Sequence, residues 1–127
     1  MNINQYKKVN ELIKKYNIDS LIHLAAKLSV SEGEKKQKLY YRNNVKGTSN
    51  LLKAIKNTKV KNFIFSSTCA VYSDKLPYVN ESSKTNPKSV YGLTKLKCEK
   101  LIKKNFNKNY AILRYFNVVG ASSSMKI

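Results

Sequence analysis

The feature that most constrains this chain is the spacing of three short apolar runs: Leu21 to Ala26, Asn62 to Ser67, and Tyr110 to Phe116. The first is apolar throughout, broken only by His23, and the second centres on Phe63-Ile-Phe65. Continuous apolar runs of this length suit strands buried on both faces. Helical spacing occupies the intervals. Tyr6, Val9, Leu12, Ile13 and Tyr16 recur at helical period within residues 5–17, and Val45, Leu51, Leu52 and Ile55 do so within about 38–57. A polar segment precedes that second helix, a loop over 72–88 carries Asp74, Pro77 and Pro87 as breakers, and a third helix runs from about 89 to 105. The order α-β-α-β-α-β implies right-handed crossovers and a parallel sheet with helices on both faces. The expected fold class is therefore α/β, a partial doubly wound parallel sheet. Ligands of such sheets bind beyond the C-terminal strand ends.

Composition narrows the functional classes. The 127 residues are 42% hydrophobic, enough for a core. The net charge of +18 invites a basic nucleic-acid-binding module. However, 23 of the 25 basic residues are Lys, only Arg42 and Arg114 are Arg, and Asn occurs 15 times. AU-rich codons favour Lys, Asn and Ile, so coding bias accounts for the balance. Base readout leans on Arg forks, and a nucleic-acid partner is disfavoured. No run approaches about 18 apolar residues, so no membrane span is expected. Met1 to Gln5 lacks an apolar leader, which favours the cytoplasm. Cys69, Cys98 and the lone His23 give no metal-ligand spacing. Two reduced thiols and no metal are expected.

The chemistry-bearing motif is Tyr91-Gly-Leu-Thr-Lys95. Spacing of four on a helix puts Tyr91 and Lys95 on one face, one turn apart. A phenol of pKa about 10 is ionised to roughly one part in a thousand at pH 7. Lowering that pKa by three units needs about 4 kcal/mol of differential stabilisation, part of which a nearby cation supplies. The phenolate could then take a proton from a substrate hydroxyl. Chance alone gives about 1.6 such pairs in a chain this rich in Tyr and Lys, so the pair gains weight only from its surroundings. Ser66-Ser67-Thr68 ends the second strand, Ala25 and Ala26 end the first, and Arg114 to Asn117 end the third. Together these would line one edge of the sheet.

Five blocks then fall into a known pattern: Ile22–Ala26, Tyr40–Thr48, Asn62–Tyr72, Tyr91–Lys95 and Leu113–Gly120. In this order and spacing the chain resembles the UDP-glucose 4-epimerase family, within the extended short-chain dehydrogenases/reductases. The resemblance implies an NAD-dependent, Rossmann-like isomerase of nucleotide sugars, acting on UDP-glucose and UDP-galactose through a 4-keto intermediate. It implies Tyr91 as catalytic base, Lys95 as the group that lowers its pKa and holds the nicotinamide ribose, and Thr68 as holder of the sugar hydroxyl. It assigns Leu24, Ala25, Ala26, Lys27, Leu28, Asn43 and Phe116, with Tyr91 and Lys95, to the cofactor, and Asn117, with Thr68 and Tyr91, to the UDP-sugar. Cys69 and Ala70 stand where the related 4,6-dehydratases carry an Asp-Glu pair, which disfavours dehydration. Epimerases of other UDP-sugars share much of the pattern.

The departures matter too. Ser73 and Val90 replace the usual Gly and Pro. None of the four glycines, Gly33, Gly47, Gly92 and Gly120, forms the family's G-x-x-G-x-x-G pyrophosphate loop. Residues 1–127 therefore read as a partial NAD-binding domain supplying the equivalents of strands 4, 5 and 6. The glycine-rich N-terminal half and the C-terminal substrate domain are expected to be absent. The first strand becomes an open apolar edge, fit for a complementing half or a homodimer. The chain alone is expected to be inactive.

Overall fold

The computed structural model describes residues 3–117 and 120. Its elements are α1 (Tyr6–Lys15), β1 (Ser20–His23), α2 (Val30–Lys35), α3 (Gln37–Tyr40), a π-helical segment (Tyr41–Lys46), α4 (Gly47–Ile55), β2 (Asn62–Thr68), a 3₁₀ turn (Cys69–Val71), α5 (Val90–Asn105) and β3 (Asn109–Tyr115). The three strands form one parallel sheet in the order β1-β2-β3. Their register pairs His23 with Phe65 and Thr68 with Tyr115.

The expectation of helices on both sheet faces is corrected. Phe63 and Phe65 are sealed beneath the helices with Leu51, Ile55 and Ile102. On the opposite face Ile22 is 62% exposed and Leu113 40% exposed. The cause is topological. Both crossovers step the same way across the sheet, and right-handed crossovers that do so put their helices on one side. Covering the other face needs strands beyond β1, where the order would reverse.

The elements differ locally from the expectation in three places. The first strand stops at His23 rather than Ala26. Lys27 gives its backbone N–H to Asn44 Oδ1 at 2.8 Å, and its carbonyl accepts from Asn44 Nδ2 at 3.1 Å, which carries the chain off the sheet. The expected helix over 38–57 contains a π-helical segment, a form enriched at functional sites. The polar stretch before it folds as α2, capped by Ser29. Val118 and Val119 of the last matching block lie outside the described residues.

Candidate active site

Three strand ends meet at one edge, as the spacing predicts. Thr68 closes β2 and Tyr91 opens α5. What joins them is a close approach at Gly92. A Cβ there would lie 2.3 Å from the Ala70 carbonyl oxygen and 3.1 Å from Pro87 Cβ. Only glycine lets the first turn of α5 sit against the 3₁₀ turn behind Thr68. The helix N-terminus is held from two sides. Ser89 Oγ accepts from Gly92 N–H at 3.0 Å, and Glu34 of α2 accepts from Val90 N–H at 2.8 Å. These bonds satisfy two of the donors that a helix start leaves open.

Thr68 is poised as a donor. Its Oγ1 accepts from Ala70 N–H at 3.2 Å, which leaves the hydroxyl proton for another oxygen. The Tyr91 phenol is half-buried beside it. Burial pushes the phenol above its ordinary range, the Thr68 side chain opposes this, and Cys69 adds to it.

Lys95 is buried, with Nζ 2.5 Å from the Ser66 carbonyl and 4.7 Å from the Phe65 ring centroid. Burial pushes its ammonium downward, against Cys98 and Glu99.

The turn after β1 holds Leu24 to Leu28 at the same edge. Leu24 and Leu28 are exposed; Ala26 and Lys27 are half-buried. Asn43 is half-buried on the π-helical segment, and its side-chain amide has no hydrogen-bond partner among the described residues. Phe116 (59% exposed) follows β3 and lines a 330 Å³ cavity with Cys69, Tyr72 and Leu76. Asn117 follows it, exposed.

Arg114 is a correction to the sequence reading. It does not enter the edge as an open polar group. Its Nε and Nη2 donate to Glu99 Oε1 and Oε2 at 3.0 and 2.8 Å, and Nη1 donates to Tyr72 at 2.9 Å. Glu99 is 1% exposed and also accepts from Ser67 at 2.5 Å. The only signal was that Arg114 is an arginine in a lysine-rich chain. Sequence reasoning also missed Asn44, which is 2% exposed and donates to Thr94 Oγ1 at 3.2 Å. Thr94 in turn donates to the Tyr91 carbonyl at 2.8 Å. Asn44 thus joins the 24–28 turn to the first turn of α5. Among the described residues no group of three His, Cys, Asp or Glu could hold a metal, and no helix is long and apolar enough to cross a membrane.

A parallel α/β sheet with a hydroxyl at a strand end and a Tyr-x-x-x-Lys helix against it defines a short-chain dehydrogenase/reductase-type protein. More particularly, the chain belongs to the NAD dependent epimerase/dehydratase family, which matches residues 1–127. The chain is 41% identical over 124 residues to the UDP-glucose 4-epimerase of Lactobacillus helveticus, covering 94% of this chain and 37% of that protein. It superposes on the Brucella ovis UDP-glucose 4-epimerase, solved with NAD, at TM-score 0.89 and 37% identity, covering 96% of this chain and 39% of that one. The Bacillus cereus UDP-glucuronic acid 4-epimerase, solved with UDP-glucuronic acid and NAD, is also similar, at TM-score 0.79 and 40% identity over 88% of this chain and 36% of that one. The chain spans little more than a third of these relatives.

Proposed function

We propose that this chain carries the proton-handling part of a UDP-sugar 4-epimerase site, with UDP-glucose and UDP-galactose as the exchanging pair. The observation that carries this reading is the half-buried Tyr91 phenol beside the Thr68 hydroxyl, with Lys95 one helical turn behind. Tyr91 takes the proton from the sugar 4-hydroxyl and returns it after the 4-keto sugar has turned over. Thr68 donates to the same sugar oxygen. Lys95 holds the nicotinamide ribose and favours the phenolate.

NAD⁺, when bound, would supply the hydride acceptor and a positive charge that favours the phenolate. Asn43 and the Leu24–Leu28 turn would hold one side of that cofactor, Phe116 would serve its nicotinamide end, and Asn117 would contact the sugar nucleotide. The pyrophosphate loop belongs to a glycine-rich segment outside residues 1–127. That segment pairs with the free edge of β1, where a 480 Å³ apolar groove runs between β1 and α1 past Leu12, Tyr16, Leu21 and Ile22. Residues 1–127 are one part of a Rossmann-like domain completed by that partner half, in a cytoplasmic enzyme. The 40% identity to the UDP-glucuronic acid enzyme motivates a second sugar reading.

The test is NAD retention and UDP-galactose turnover by the purified chain, alone and with a separately supplied glycine-rich β-α-β segment. Weak NAD binding and no turnover are expected alone, with both gained on complementation and turnover lost in Tyr91→Phe. Tight NAD retention with turnover by the chain alone would contradict this division of the site.

A further inference from the structure

Val90 stands where the five-block pattern usually has proline, and so brings a backbone donor to the site. It is the first residue of α5, where a helix leaves its N–H without an intrahelical partner. Glu34 of α2 meets that N–H through Oε1 at 2.8 Å, across 56 residues of sequence. The carboxylate is exposed and makes no other hydrogen bond or salt bridge among the described residues. Water serves a helix-start N–H nearly as well, so the bond adds little stability. What water does not do is tie α5 to a fixed point on α2. That point is itself held: Ser29 caps α2, and Tyr40 Oη donates to the Ser29 carbonyl at 2.7 Å. Tyr91 follows Val90 directly, so a shift of this backbone is a shift of the phenol.

We propose that Glu34 is a positioning residue for Tyr91, holding the first turn of α5 where the phenol meets Thr68; this rests on the role given to Tyr91 above. It acts through the Val90 N–H and not on the sugar. Asn44 already ties the same turn of α5 to Lys27, through Thr94 and the Tyr91 carbonyl. Glu34 adds a second tie, to the helix that follows the 24–28 turn. Proline offers the test. It suits the first position of a helix and has no N–H to satisfy. Ser89 already has the extended backbone that a following proline requires, at ψ 151°. Val90→Pro should therefore set the same backbone without Glu34 and make the carboxylate dispensable.

The variants are Glu34→Ala, Glu34→Gln (which keeps an acceptor oxygen), Val90→Pro, and Glu34→Ala combined with Val90→Pro. In the full 127-residue chain, NMR follows the nuclear Overhauser contact between the Tyr91 ring and the Thr68 side chain, and amide exchange at Tyr91. Glu34→Ala is expected to weaken the contact and speed the exchange while the urea midpoint barely moves. Glu34→Gln and the combined variant should both keep the parent's contact. In the chain complemented by the glycine-rich segment, Glu34→Ala should lower kcat about tenfold with KM for UDP-galactose unchanged. The combined variant should turn over as Val90→Pro does. An unchanged Tyr91 contact in Glu34→Ala, an equal loss in the Val90→Pro background, or no rescue by Glu34→Gln would each overturn the proposal. No turnover by the unsubstituted complemented chain, with the contact still lost in Glu34→Ala, would count against the epimerase reading and leave Glu34 as the residue that places Tyr91.

Discussion

The side chain of Asn44 closes a two-bond ring with the backbone of Lys27, accepting from its N–H at 2.8 Å and donating to its carbonyl at 3.1 Å. The same amide reaches Thr94, one turn along the helix from Tyr91. One buried side chain thus fixes the 24–28 turn relative to the helix that carries Tyr91. Asn44→Ala strands the Lys27 backbone groups and should cost about 2–3 kcal/mol. Urea unfolding measures that loss, and amide exchange at Lys27 should accelerate beyond the global change.

Glycine is required at position 92 but not at position 47. A Cβ at Gly92 meets backbone, the Ala70 carbonyl at 2.3 Å, whereas at Gly47 its close contact is the Ile3 side chain, with Cδ1 at 2.5 Å. Gly92→Ala should destabilise by about 1–3 kcal/mol and push Tyr91 away from Thr68. Gly47→Ala should be near neutral once Ile3 shifts, because alanine is the better helix former. Paired thermal melts separate the two.

The Glu99–Arg114 pair holds the helix and strand that frame the site. Arg114→Met leaves Glu99 buried with Ser67 as its remaining partner, and should cost about 3–5 kcal/mol. Adding Glu99→Leu should recover much of that loss. A double-mutant cycle reads the coupling directly.

Stability should fall in mild acid through His23. This residue is 3% exposed, sits 2.9 Å from Thr48 Oγ1, and has its pKa lowered to about 4 by burial first and by Lys95 second. Because the folded value lies below the unfolded one, the contribution is full above about pH 6.5 and is lost as pH falls toward 4. The predicted loss is about 3 kcal/mol, read as a drop in urea midpoint. In His23→Asn the drop should be smaller by that amount.

Much of the frame was legible from local pattern. The three runs became three parallel strands, and the strand end at Thr68 and the helix start at Tyr91 share one sheet edge, joined by the close approach of Gly92 to Ala70. What could not be read is set by contacts distant in sequence. Asn44 cuts the first strand short, Glu34 caps a helix 56 residues away, and Arg114 turns to Glu99. The bare sheet face follows from the direction of the crossovers, which no single segment encodes.

The most direct test of the central claim is turnover by a chimera. Residues 1–127 replace the matching third of the Lactobacillus helveticus UDP-glucose 4-epimerase, and UDP-galactose conversion is followed. The account predicts a chimera that retains NAD and epimerises, with turnover lost in Tyr91→Phe while NAD is still retained. A folded, NAD-bound chimera without turnover, or one whose turnover survives Tyr91→Phe, would contradict it.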